Sequence, residues 1–178
     1  MIVYHVVCTN SDDYKERRGP HREAHLQRLL ALRSQGLLIG AALRADLSAA
    51  DCFFRVNQPS DVDALVREDP YFKGGVWTGY TLRTFSQFVD PWKPVDPVFD
   101  GSRKATFVEG TPTDPEMAAF VLIELRGKGQ MAFGGFLGDG RTLTLLNSPD
   151  LAEARSFLTE TGLWKDNTLT AWSSLYVL

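Results

Sequence analysis

Histidine and cysteine are scarce in this chain: its 178 residues hold three histidines and two cysteines. Cys8 and Cys52 stand alone. There is no Cys-x-x-Cys and no paired-histidine spacing, so neither a disulfide framework nor a zinc site is expected. Two lone cysteines in an acidic chain suggest a reducing compartment. Long apolar runs are lacking too, since none approaches the roughly 20 residues that cross a bilayer. The opening residues Met1–Val7 have neither the charged start nor the long apolar core of a secretion signal, so a cytoplasmic protein without a membrane partner is expected. Positive charge is not in excess. The net charge is −3 and the isoelectric point about 5.6, a poor match for a nucleic-acid partner. Arg17, Arg18 and Arg22 cluster, but Asp12, Asp13, Glu16 and Glu23 surround them, which describes a mixed, solvated face. The glycines at 127, 129, 134, 135, 138 and 140 are followed by no Lys-Ser/Thr and form no Gly-x-Gly-x-x-Gly after a strand, so no phosphate-binding loop is present.

What the chain does contain is one plan used twice. Residues 90–104 carry three prolines and a Gly-Ser step, which suit neither a long helix nor a central strand. This span reads as a linker between residues 1–89 and 105–178. In the first segment, β-branched residues mark a strand at Ile2–Cys8. A helix follows, with Pro20 near its start, Leu26, Leu29, Leu30 and Leu32 as its apolar stripe, and Gly36 as its stop. Strands are expected at Leu37–Leu43 and Asp51–Asn57, then a helix capped by Ser60 and running to about Glu68, then a strand at Tyr80–Val89. The second segment repeats the order: strand Ala105–Thr111, helix Asp114–Gly127, a hairpin Met131–Gly138 and Arg141–Asn147 turning at Asp139-Gly140, helix Ser148–Thr161 and strand Thr168–Leu178. Sliding Gly75–Val89 onto Gly162–Tyr176 without a gap matches Gly75 with Gly162, Trp77 with Trp164, Thr81 with Thr168, Leu82 with Leu169 and Ser86 with Ser173.

A βαββαβ order folds as a four-stranded antiparallel sheet with both helices on one face. Strands apolar on both alternating sets, such as Phe53 with Phe54, must bury both faces. The expected fold is therefore α+β: two ferredoxin-like βαββαβ repeats whose sheets, packed face to face, give an α+β barrel-like sandwich, and the pattern leaves open whether each sheet meets the second repeat or another chain. Strand edges and helices remain free for a homodimer.

Few residues could carry chemistry. Arg22, His25, Leu29 and Leu32 fall on one helix face. Asp69 precedes Pro70, which pushes it out of the helical region and fixes it where the second helix stops. Each feature also has a plain reading: a histidine beside an apolar stripe is commonly structural, and Asp-Pro commonly ends a helix. The combination Arg22-x-x-His25-Leu26-x-x-Leu29, then Gly36 and a strand, then Asp69-Pro70-Tyr71 and Gly75-Val76-Trp77, resembles the YciI-like (YCII-related) family of the dimeric α+β barrel superfamily. The resemblance covers about residues 1–89. It implies a ferredoxin-like fold and a site built on a histidine and an aspartate, here His25 and Asp69, with Arg22 in the place of the arginine that precedes the histidine and Tyr71 as a further substrate contact. One departure is Gly40-Ala41-Ala42-Leu43, where the family often carries Gly-Pro. The aligned second segment has Ser156 and Phe157 in place of Asp69 and Pro70, and no histidine.

The expectation is a cofactor-independent enzyme of isomerase or lyase type, acting on a small organic molecule. A histidine titrating near pH 6.5 is suited to moving protons, and an aspartate in contact would hold its ring. No metal ligand set and no cofactor is expected. The alternative is a non-catalytic protein that binds a small ligand or serves assembly on the same scaffold. His5, on the first strand, could face either side of its sheet. His21 reads as a solvated helix start, and Cys8 and Cys52 as buried, inert thiols.

Overall fold

The computed structural model describes residues 1–89, 98 and 100–177; residues 90–97 and 99 of the expected linker lie outside them. The first set of elements is β1 (Ile2–Asn10), α1 (Tyr14–Arg17), a 3-10 turn (Gly19–His21), α2 (Arg22–Ser34), β2 (Leu38–Arg44), β3 (Ala49–Val56), α3 (Pro59–Arg67), α4 (Pro70–Lys73) and β4 (Trp77–Val89). The second is β5 (Ala105–Gly110), α5 (Pro115–Gly127), β6 (Met131–Leu137), β7 (Thr142–Leu146), α6 (Leu151–Thr159), a 3-10 turn (Asp166–Thr168) and β8 (Thr170–Val177). The chain divides into two compact units, with the boundary inside β4 between Thr84 and Phe85.

In the first unit β3 is flanked by β1 and β2, both antiparallel to it; β1 runs in register from Ile2 opposite Val56 to Thr9 opposite Ala49. The start of β4 lies beside the end of β1, where the Ser11 N–H donates to the Val76 carbonyl and the Thr78 hydroxyl to that of Thr9. In the second unit the strand order is β8, β5, β7, β6, all neighbours antiparallel, and Phe85–Val89 pairs with β6. Both units thus show the mixed α+β build with antiparallel strands that the sequence pattern predicts.

Local chemistry sets the helix starts. The sequence points to Ser60 as the cap of α3, but Gln58 takes that place. Pro59, which has no N–H to lose, fits the first helical position, and Asp61 closes a capping box back to the Gln58 N–H at 3.2 Å. Asp114 and Asp150 cap α5 and α6 through side-chain oxygens that accept two backbone N–H groups each. The core of the second unit gathers Val108, Leu122, Met131, Leu146, Leu158 and Trp164. Burying each such side chain contributes roughly 1.5–3 kcal/mol. The first unit buries Val6, Phe53, Phe54, Val62, Val66 and Val76 in the same manner.

Candidate active site

His25 and Asp69 meet because two short-range rules place them. His25 lies on the inward face of α2 with Leu29 and Leu32. Pro70 holds Asp69 extended, at φ −65° and ψ 137°, between the end of α3 and the start of α4. From there Asp69 caps α4: its Oδ1 accepts the Tyr71 N–H at 2.8 Å. The same oxygen lies 2.7 Å from Nδ1 of His25, and Arg28 Nε stands 3.9 Å from Oδ2. Residue exposures of 6% for His25 and 2% for Asp69 make this a nearly buried pair. The sequence read Asp-Pro as the stop of one helix; in the structure it is also the start of another, and that second role aims the carboxylate.

Aromatic rings fix the imidazole from two sides. Tyr71 stacks on it at 3.8 Å and 9°, and Trp77 meets it edge-on at 5.1 Å and 86°. Tyr14, which sequence reasoning missed, meets Tyr71 edge to face at 6.2 Å. Burial raises the Tyr71 phenol well above its ordinary range, and the charge and hydrogen bond of Tyr14 add to that rise; Arg18 and Arg22 oppose it. The phenol is therefore a hydrogen-bond donor at neutral pH. Arg22, half-buried at the start of α2, belongs to this corner through its charge on Tyr71. His21 does not merely face water: its ring covers Gly74 so closely that a Cβ there would come within 2.3 Å of Nε2. Gly75 then turns the chain into β4 at φ +67°, a conformation that disfavours other residues.

The chemistry follows from the hydrogen bond. A carboxylate accepts, so Nδ1 carries a proton, and in the neutral ring it is Nε2 that keeps the lone pair. Nε2 has no hydrogen-bond partner among the described residues, nor is it among their sealed, unpartnered polar atoms. The arrangement is a ring locked in one tautomer, with a basic nitrogen turned away from its anchor.

A second buried histidine–aspartate pair was not foreseen. His5 on β1 donates from Nε2 to Asp51 Oδ1 on β3 at 2.8 Å, and both side chains are fully buried. Arg44 on β2 donates Nε and Nη2 to the two Asp51 oxygens at 2.9 and 3.0 Å. Arg83 on β4 lies 3.0 Å from His5 Nδ1. A guanidinium can only donate, so this contact fixes His5 as the neutral Nε2–H tautomer. Burial works to raise the Asp51 carboxyl, but the hydrogen bonds from His5 and Arg44 outweigh it and hold its pKa below the ordinary carboxylate value. The signal that could have found the pair is the register: in β1–β3, His5 faces Phe53 and Val7 faces Asp51, which sets both polar residues on one sheet face.

Cys8 and Cys52 are buried free thiols. A hydrogen bond from Cys52, and then burial, push the Cys8 thiol above its ordinary range, which leaves it unreactive. Among the described residues no group of three or more His, Cys, Asp or Glu could hold a metal ion, and no helix is long and apolar enough to cross a membrane. In the second unit, Ala118 sits in the apolar core at the helix position that His25 holds in the first. Ser156 lies inside α6, where its hydroxyl donates to the Glu153 carbonyl.

No family model matches the sequence, and no curated protein matches it. Solved structures do. A proposed monooxygenase from Lactobacillus acidophilus superposes with a TM-score of 0.61 at 12% identity, covering 98% of this chain and 93% of that one. A proposed monooxygenase from Fusobacterium nucleatum gives 0.57 at 6% identity, with 98% and 91% covered. A heme-binding protein from Thermus thermophilus gives 0.54 at 10% identity, with 99% and 92% covered. At these identities the likeness speaks for the fold alone, and the fold is mixed α+β, of the dimeric α+β barrel kind.

Proposed function

We propose that the chain is a cofactor-independent enzyme of isomerase or lyase type, related to the YciI-like family, that moves a proton on a small organic molecule. The observation that carries this reading is the 2.7 Å hydrogen bond between His25 Nδ1 and Asp69. Nε2 of His25 takes the proton from the substrate and returns it elsewhere on the carbon skeleton or to a departing group. Asp69 holds the tautomer and stabilises the imidazolium as it forms. Tyr71, a protonated phenol beside the ring, donates to a substrate oxygen, and Arg22 supplies a positive charge for a carboxylate or phenolate. Tyr71 and Trp77 keep the imidazole from rotating as its charge changes. Free thiols at Cys8 and Cys52 support a cytoplasmic location.

The test is turnover of a panel of lactones, phenols and β-substituted carboxylic acids by the wild-type chain and by His25→Ala. Turnover by the wild type that His25→Ala abolishes supports the reading. Equal turnover by both removes it. So does an absorption band from added haem that depends on His25, because it would assign the histidine to a cofactor.

A further inference from the structure

Asp69 has two oxygens, and the pair with His25 uses one of them. Oδ1 accepts the Tyr71 N–H and lies 2.7 Å from His25 Nδ1. Oδ2 faces Arg28, whose Nε stands 3.9 Å away, beyond a hydrogen bond but within ion-pair reach. His25 and Arg28 are three positions apart on α2, so they leave the same side of the helix. They hold the carboxylate as a fork, one tine on each oxygen. Among the described residues these two are the basic side chains that reach Asp69.

Arg28 is also a brace. Its Nη2 donates to the Leu65 carbonyl in the last turn of α3, at 3.2 Å, and to the Glu68 carboxylate at 3.3 Å. Bracing does not account for Nε. That N–H is sealed from water and has no acceptor among the described residues, although the side chain as a whole is a quarter exposed. A charged donor is tolerated in such a place when an opposite charge lies across from it, and Asp69 Oδ2 is that charge. The second unit offers a comparison. There Ala118 and Ser156 stand at the positions of His25 and Asp69, and the position of Arg28 is taken by Val121, which packs against the apolar core. A helix of this plan is thus seated without the arginine. The cation accompanies the histidine–aspartate pair and is gone where the pair is gone.

We propose, resting on the acid–base reading of His25, that Arg28 is the positioning residue of the pair: it holds the second oxygen of Asp69 and balances its charge, so that His25 meets the substrate as a neutral base. With the imidazole neutral, Asp69 and Arg28 cancel, and a proton on Nε2 adds net charge to a nearly buried cluster. Beside an aspartate without Arg28, the imidazolium would form before any substrate arrived, and an imidazolium cannot take a proton. The other groups around the pair do not replace Arg28. Glu68 is largely exposed, and its charge pulls the balance the other way. Tyr71 is a neutral phenol, on which Tyr14, Arg18 and Arg22 act. Cys8 on β1 and Cys52 on β3 are free thiols, and the His21 ring covers Gly74. Glu23 and Lys73 are exposed.

Proton NMR titration of the histidine rings in the full chain tests it, with the His25 signals assigned by their loss in His25→Ala. In Arg28→Met, which removes the charge and keeps an unbranched stem, the midpoint of the His25 titration should rise by about one unit, as a lost neighbouring charge requires. Arg28→Lys, which keeps the charge and loses the planar brace, should stay near the wild type. Arg28→Gln is a second neutral variant that should match Arg28→Met, and it keeps the test decisive should the methionine variant fold poorly. One unit is an about tenfold loss of neutral base below the midpoint, so the pH profile of any exchange catalysed at a substrate carbon should move upward with the titration. Equal midpoints in the wild type and the neutral variants overturn the inference. So does an Arg28→Lys midpoint displaced as far as that of Arg28→Met, because the effect would then belong to the brace. A chain that turns over no substrate removes the acid–base reading instead, and the titration still decides the role of Arg28.

Discussion

Asp69 performs two tasks with one oxygen, and substitution can separate them. Its Oδ1 caps α4 through the Tyr71 N–H at 2.8 Å and holds His25 Nδ1 at 2.7 Å. Asp69→Ala removes both partners. Losing the cap costs about 0.5–2 kcal/mol, and leaving a buried ring N–H without an acceptor costs about 1–3 kcal/mol. Together these predict a loss of about 1.5–5 kcal/mol in urea unfolding. Asp69→Asn keeps an Oδ1 that can accept from both donors, so the cap survives. Its amide nitrogen replaces Oδ2, which stands 3.9 Å from the Arg28 guanidinium, and that attraction is lost. The expected cost is about 1 kcal/mol, well short of the alanine variant. Nitrogen-15 spectra of the histidines should show His25 protonated at Nδ1 in the wild type and released to the other tautomer in Asp69→Ala. Turnover should fall by a factor on the order of 10² in Asp69→Asn, through loss of the charge that stabilises the imidazolium. If both variants unfold at the same urea concentration, or if the alanine variant keeps the Nδ1–H tautomer, the dual role is wrong.

His5→Phe should keep the stacked packing on Phe53 but leave Asp51 short of one buried donor, and cost about 2–4 kcal/mol in urea unfolding. Asp51 has a folded pKa lowered from that of the unfolded chain, so its contribution is complete above the unfolded value and is lost as pH falls through the folded one. The melting temperature should therefore drop below about pH 4, and more shallowly in Asp51→Asn. Leu122→Ala, in the fully buried core of the second unit, should cost about 2–5 kcal/mol by calorimetry. Titration of a ligand bound by the wild type should give one site per chain, lost on changing His25 and Arg22; two equal sites would misplace it.

Much of the fold is legible because it rests on local rules. Alternation and β-branching mark the strands, Asp139-Gly140 marks the β6–β7 hairpin, with Gly140 at φ +85°, and Gly75 and Gly162 take the same positive φ in the two units. The boundaries that shifted depend on competition between neighbours. Gln58 displaced Ser60 as a cap because Pro59 and Asp61 fit around it. The His25–Asp69 contact could be anticipated from helix periodicity, Asp-Pro geometry and the family resemblance. Tyr14 could not, since it reaches Tyr71 across 57 positions of sequence by tertiary packing that no local pattern encodes. The His5–Asp51–Arg44–Arg83 network was hidden for a related reason: it draws one residue from each of four strands, and only strand order and register bring them to one place.

The most direct test of the central claim is wash-in of solvent deuterium, followed by proton NMR, at the acidic carbon of small lactones, phenols and carboxylic acids. It reads proton abstraction even where no net reaction follows. The wild-type chain should catalyse exchange without added cofactor, Asp69→Asn should catalyse it more weakly, and His25→Ala not at all. Exchange of equal rate in His25→Ala would contradict it.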